Sequence, residues 1–283
     1  MNRSWILAKS GFALFAILSL AGCSLFSSFF PSSVGEIVSF AITAGLNEGI
    51  AEDVDGTLSH SDITIVISID ADITALVPTI TVSEGATVDP SSGVVQDFSQ
   101  PVVYTVEAAD ETTRSFVVTA RIPLSDVSFA SWNLMNRVNA SGMTYIDELT
   151  YLDAGHGYIN DLSGIEHLTS LRVLDLYHNG VTDLDALADL SELTILDVRD
   201  NRITDLSGLA NLVNLSVVVL SNNNVSDLSS LASLTALTRL YLDNNSVTSV
   251  SSLASLTGLI RLDLSTNNIT DITSMASLTN LIV

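Results

Sequence analysis

Cations and cysteine are scarce in this sequence, and the shortages exclude whole classes of function before any motif is considered. The 283 residues carry 10 Lys plus Arg against 32 Asp plus Glu, a formal charge of −22. Lys9 is the only lysine, and Arg3 and Lys9 are the only charges ahead of Cys23, so all 32 carboxylates follow that cysteine with just eight cations. Nucleic acids and anionic headgroups are held by cations that displace counterions, so neither is a candidate partner. An acidic surface of this kind suits solubility in a salty medium, where charges are screened beyond roughly 8 Å; cation binding is the alternative. Because Cys23 is the sole cysteine, no intramolecular disulfide forms, and stability rests on packing and hydrogen bonds.

Catalytic and metal-binding signatures are missing as well. None of His60, His156, His167 and His178 sits in a His-Glu-x-x-His or other paired-ligand spacing. His156 and His178 are 22 apart and would stack on adjacent coils of a repeat, as solvated loop positions or, less favoured, as a metal pair. Asp53-Val54-Asp55 and Asp70-Ala71-Asp72 faintly resemble calcium ligands, but no Gly and bidentate Glu follow at loop spacing. No phosphate-cradling glycine loop or Gly-x-Ser-x-Gly elbow occurs. The expectation is a non-enzyme with no cofactor and no metal. With 47% hydrophobic and 15% charged residues the chain nevertheless has a core to bury, with length enough for one to three domains.

What is present begins with a leader. Arg3 and Lys9 precede an apolar stretch, Gly11 to Leu20, of about ten residues, half the length needed to span a bilayer. Leu20-Ala21-Gly22-Cys23 follows, so residues 1–22 read as a signal peptide. This ending resembles the lipobox of bacterial lipoproteins, which implies cleavage before Cys23 and lipidation of its thiol and new amino group; an ordinary secreted protein with a chance cysteine is the alternative. Several acyl chains would hold the protein to a membrane where one would bind only marginally. With Ser24 next, the family's sorting habit favours the outer membrane, periplasmic or surface side left open. Residues 23–34 show no period and read as a lipidated tether.

Residues 35–122 are β-branched runs broken by turn residues, the pattern of a β-sandwich. Ile63, Ile65, Ile67 and Ile69 alternate with polar positions except at Val66. Pro101–Ala109 and Ser115–Ile122 look like a hairpin closed by Asp110–Arg114. Gly85-Ala-Thr-Val-Asp-Pro-Ser-Ser-Gly93, then Asp97-Phe98 and Pro101-Val-Val-Tyr-Thr-Val106, resemble an immunoglobulin-like domain of bacterial surface lipoproteins, which implies a spacer or adhesive module without chemistry.

A fixed period governs the rest. Leu168, Leu190, Leu212, Leu234, Leu256 and Leu278 are each 22 apart, within units of the form Leu171-x-x-Leu174-x-Leu176-x-x-Asn179-x-Val181. Alternation sends Leu174 and Leu176 inward and Asp175 outward, so stacked strands at about 4.8 Å make a parallel sheet. Asn179, Asn201, Asn223, Asn245 and Asn267 fall where a turn needs buried amides to satisfy its own backbone and that of the next coil. Gly157 stands at that place in an earlier unit, Ile146 to His167. In stretches such as Thr204 to Leu209, an Asp or Ser is placed to cap a short helical turn, with Ser249 substituting once.

These units resemble the 22-residue leucine-rich repeats of internalin-like bacterial surface proteins. The resemblance implies a solenoid over residues 146–283, six units plus an incomplete seventh, with a parallel sheet on the concave face and short helical turns or coil on the convex face. It also implies a helical cap over residues 123–145, where Phe129 to Val138 is amphipathic and Trp132 and Leu134 are assigned to the cap core. The fold class expected is thus β-rich and two-domain, an immunoglobulin-like β-sandwich followed by a leucine-rich-repeat solenoid. Ending at Leu281-Ile282-Val283 without a polar cap, the sequence suggests truncation, or an edge covered by another chain.

Family members bind proteins through the concave sheet, so the outward strand columns carry the partner-binding assignment: Tyr151, Val173, Ile195, Val217, Arg239 and Arg261; Asp175, Asp197, Val219, Tyr241 and Asp263; Tyr177, Arg199 and Asp243. Val173, Ile195, Val217 and Val219 would form an exposed apolar strip beside Tyr177 and Tyr241, the chemistry of a contact surface; alternatively, β-branched residues merely suit strands. Asp175 with Arg199, and Asp263 with Arg239, are candidate surface ion pairs. A protein ligand, or a glycan, on the concave face and a membrane through Cys23 are the partners expected. The targeting half of a longer enzyme, or a structural envelope lipoprotein, are the competing functions.

Overall fold

A computed structural model of the protein describes residues 35–282. The leader, Cys23 and the tether up to residue 34 lie outside the described residues. The chain divides into two compact units that meet between Ala120 and Arg121. No helix among the described residues is long and apolar enough to cross a membrane.

The first unit is a sandwich of eight strands: β1 (Ile37–Ile42), β2 (Val54–Asp55), β3 (Thr57–Ser59), β4 (Asp62–Val66), β5 (Pro78–Val82), β6 (Thr87–Asp89), β7 (Val102–Glu107) and β8 (Thr113–Arg121). One sheet runs β2-β1-β5 and the other β3-β4-β8-β7-β6. The isoleucine alternation does what its period demands: Ile63, Ile65 and Ile67 are fully buried, while Val66 is exposed. Phe40 of the smaller sheet meets Tyr104 of the larger edge-on, ring centroids 5.4 Å apart, with Phe98 at 6.3 Å on the same ring, so the core lies between the sheets. β7 and β8 form the expected hairpin, but its turn is Ala108–Thr112 rather than Asp110–Arg114, because Glu107 pairs with Thr113 and Ala108 N–H reaches Thr112 O at 2.9 Å.

The second unit opens with Arg121, whose guanidinium reaches Asp147 at 2.9 Å and Glu148 at 2.8 Å and lies over the Tyr145 ring. Backbone N–H groups of Thr144 and Tyr145, and then Arg121, hold the Glu148 carboxyl below its ordinary value. One α-helix follows, α1 (Trp132–Asn139), N-capped by the Ser131 hydroxyl, which accepts from Leu134 N–H at 3.3 Å. Leu134 and Val138, one helical turn apart, are fully buried. Trp132 is 69% exposed, not core as the sequence led us to expect. Two helical residues subtend about 200°, so Trp132 and Leu134 occupy opposite faces and only one of them can be inward.

Six short strands then recur, β9 (Tyr151–Asp153), β10 (Val173–Asp175), β11 (Ile195–Asp197), β12 (Val217–Val219), β13 (Arg239–Tyr241) and β14 (Arg261–Asp263). They form one parallel sheet in sequential order, every pair offset by one repeat. In a central coil Leu168, Leu171, Leu174, Leu176, Val181, Leu184 and Leu187 are at most 1% exposed. Each such side chain contributes about 2 kcal/mol of burial, so the coils cohere through their shared interior. On the far side from the sheet the chain makes 3-10 turns such as Ser207–Leu209. The aspartate two residues ahead of the first turn residue serves it: Asp205 Oδ1 accepts from Ser207 N–H at 2.9 Å, and Asp227 does likewise for Ser229. It sits one residue before the cap position, forming a side-chain turn rather than a cap. Ser249 makes a weaker version at 3.4 Å. In the last described coil Leu262, Leu264 and Met275 are only half-buried and Ile272 is 63% exposed.

Candidate functional site: the outward face of the parallel sheet

Strand alternation places every second side chain on the outward face, and the register stacks those side chains into columns. Tyr151, Val173, Ile195, Val217, Arg239 and Arg261 form one column, and Asp153, Asp175, Asp197, Val219, Tyr241 and Asp263 the next. Tyr177, Arg199 and Asp243 stand just past the strand ends beside the second column. The apolar strip is present but less open than expected: Ile195 is 38% exposed, and Val173, Val217 and Val219 are half-buried. Strands about 4.8 Å apart let neighbours within a column shade one another.

The aspartate column has a structural task as well as an outward position. Oδ1 of Asp153, Asp175, Asp197 and Asp263 accepts from the N–H two residues on, at 3.1, 3.0, 3.1 and 2.9 Å, turning the chain out of the strand. Burial pushes the Asp175 and Asp197 carboxyls above their ordinary value, and for Asp175 the Asp153 charge adds to it. Asp263, less enclosed, is held below by the Ser265 hydroxyl and N–H. Of the ion pairs expected, neither forms. Arg199 pairs within its own coil, with Asp197 at 3.3 Å, and its guanidinium lies 5.1 Å from the Tyr177 ring centroid. Arg239 has no ion-pair partner among the described residues. Tyr177 also takes the His156 ring edge-on at 4.5 Å, in space that Gly155 leaves free, since a Cβ there would run into the tyrosine ring. Beside β9 a cavity of about 320 Å³ opens among Arg137, Met143, Tyr151 and Asp153.

Behind this face runs the asparagine ladder. Asn223 Nδ2 donates to Val198 O at 2.9 Å and Leu220 O at 3.1 Å, while its Oδ1 accepts from Ile203 N–H at 2.9 Å. Asn179, Asn201, Asn245 and Asn267 repeat the pattern. The direction differs from expectation: each amide serves its own turn and the preceding coil, not the next one. Gly157, in the coil without an asparagine, gives its N–H to Asn179 Oδ1 at 3.0 Å, so the first coil borrows the second's amide.

A second ladder was missed. His156, His178, Asp200, Asn222, Asn244 and Thr266, each one residue before the ladder position, all have φ between 50° and 57°, the left-handed region. Their side chains stack: the two histidine rings are 4.6 Å apart, Asn222 Nδ2 donates to Asp200 at 2.8 Å, and Asn244 Nδ2 to Asn222 at 2.6 Å. His, Asp and Asn are the residue types that tolerate this conformation, so their recurrence every 22 residues was the signal available. His156 and His178 belong to this column, and no group of three or more His, Cys, Asp or Glu that could hold a metal lies among the described residues.

With this geometry in place, residues 37–120 match the family described as SGBP, N-terminal, and residues 191–233 and 235–280 match Leucine Rich repeats (2 copies). No curated protein matches the chain. Among solved structures, an internalin from Listeria monocytogenes superposes with a TM-score of 0.53 and 32% identity over 57% of this chain and 50% of its own. A leucine-rich-repeat protein of Leptospira interrogans gives a TM-score of 0.40 and 29% identity over 42% of this chain and 31% of its own. This chain therefore spans half the length of the internalin it resembles.

Proposed function

We propose that this leucine-rich-repeat protein, whose first domain is like the N-terminal domain of the SGBP family, is a lipid-anchored module of the cell envelope that captures a protein partner on the outward face of its parallel sheet. It works by binding and not by catalysis. The acyl anchor on Cys23 holds it to the outer membrane. The carrying observation is the alignment of outward side chains into columns, which presents Ile195, Val217 and Val219 as an apolar strip flanked by Tyr177, Tyr241 and the arginines Arg199, Arg239 and Arg261. Aromatic and arginine side chains around a desolvatable apolar centre are the usual anchors of protein interfaces. Leucine-rich repeats as protein-interaction modules support the same reading.

The test is capture of the partner cross-linked to the protein in intact cells. Ile195→Asp with Val217→Asp should abolish capture while leaving the far-UV spectrum and the fully buried leucine interior intact; undiminished capture would refute the face. A glycan partner is the second reading, favoured by the SGBP match of residues 37–120. Polysaccharide binding that survives the same double substitution would place recognition in the first domain.

A further inference from the structure

Building on the sheet-face reading above, we infer that the occupant is a protein segment of divided charge: cations at one end, an apolar middle and carboxylates at the other end. The register sets that order. Asp153 and Asp175 are paired on β9 and β10, the Ile195, Val217 and Val219 strip occupies β11 and β12, and Arg239 and Arg261 are paired on β13 and β14. Among the described residues no cation lies within ion-pair distance of Asp153 or Asp175, and no carboxylate within that distance of Arg239 or Arg261. Oδ1 of each aspartate accepts from the N–H two residues on, Gly155 and Tyr177 respectively; Asp153 is exposed and Asp175 half-buried. Asp243 and Asp263 lie on the neighbouring columns and accept from the Ser221 hydroxyl and from the hydroxyl and N–H of Ser265, but neither forms an ion pair with Arg239 or Arg261.

Like charges on directly neighbouring strands repel, so each pair is unfavourable in the isolated sheet and is relieved when opposite charge arrives. A chain that has only eight cations after Cys23 sets two of them side by side, unpaired, on its outward face. The two ends are five strand steps apart, about 24 Å, which an extended segment of about seven residues spans. The same face therefore selects a basic-apolar-acidic segment over a uniformly charged one.

The experiment uses fluorescence anisotropy with two peptides of one composition, each about twelve residues. One carries a lysine block, a valine centre and a glutamate block; in the other, lysine and glutamate alternate around the same centre. The block peptide should bind at least about tenfold more tightly. Asp153→Asn with Asp175→Asn should erase that advantage, and Arg239→Glu with Arg261→Glu should transfer preference to a peptide with lysines at both ends. Equal binding of the two peptides, no binding of either at millimolar concentration, or indifference to both double substitutions would overturn the charge order. Ile195→Asp with Val217→Asp separates the two claims. If partner capture is lost in that variant but the peptides are never discriminated, only the charge order falls; if capture survives, the face falls with it.

Discussion

Asn223→Ala strips one coil of its amide and is the sharpest test of how this solenoid is held. Asn223 is 7% exposed. Its Nδ2 reaches the carbonyls of Val198, Leu220 and Ser221 at 2.9, 3.1 and 3.3 Å, and its Oδ1 takes the N–H of Ile203 at 2.9 Å. Ile203 is itself fully buried, so water cannot replace the lost acceptor. A buried N–H left without a partner costs about 1–3 kcal/mol, and two well-formed donor bonds add about 1 kcal/mol each, so the loss should be about 3–5 kcal/mol. Because the amide reaches into the preceding coil, the damage couples two repeats and should lower cooperativity as well. Asn223→Asp keeps the Ile203 acceptor but aims a second oxygen at the three carbonyls; it should be at least as damaging at neutral pH and partly recover when acid protonates it. Urea unfolding followed by far-UV circular dichroism measures all three proteins. A loss below about 1 kcal/mol for Asn223→Ala would refute the reasoning, because it would mean the buried groups are satisfied some other way.

Further expectations concern other positions. Thr266 is the one β-branched residue in the left-handed column, at φ 53°; Thr266→Asn should raise stability by about 0.5–1 kcal/mol, read as a higher urea midpoint, whereas a lower midpoint contradicts the conformational account. Leu134→Ala should cost about 2–5 kcal/mol and Trp132→Ala under about 0.5 kcal/mol, measured in the same assay, and equal losses would mean the helix faces are misassigned. Because burial raises the Asp175 carboxyl, the folded state binds its proton more tightly than the unfolded chain, so this group's contribution to stability falls as pH rises from about 3.9 through the folded value. Asp175→Asn, which can still accept the Tyr177 N–H through its amide oxygen, should then be more stable than the parent near neutral pH, with the difference vanishing below about pH 4; a difference independent of pH would contradict the cause assigned.

Periodicity made the solenoid legible because burial repeats with it: once Leu174 and Leu176 are inward, a spacing of 22 places Leu196, Val218, Leu240 and Leu262 in the same register. The outward columns followed from the same alternation. Their openness did not, since Val173 and Val217 are shaded by neighbours in adjacent strands, a distance no single repeat contains. The direction of the asparagine bonds was equally out of reach: an amide can face either adjoining coil, and the choice is made by the turn that puts Ile203 N–H, from the preceding unit, beside Asn223. Trp132 was misplaced because both Trp132 and Leu134 look like core on hydrophobicity alone, and only the helix phase set by Ser131 separates them. In the sandwich, local alternation revealed Ile63, Ile65 and Ile67, but not that β1 lies between β2 and β5, because that pairing is decided across distant segments. The column at His156, His178 and Asp200 was readable in composition and passed over because its signal is backbone conformation, not polarity.

The central claim is that the outward sheet face, and no other surface of the repeats, meets the partner. A photo-cross-linking amino acid placed singly at Ile195, Val217 and Tyr241, and for contrast at Asp227 and Ser229 on the turn side, tests it in intact cells. One adduct of common mass should form from the three sheet positions and from neither turn position. Adducts from Asp227 or Ser229 with none from the sheet would contradict the account.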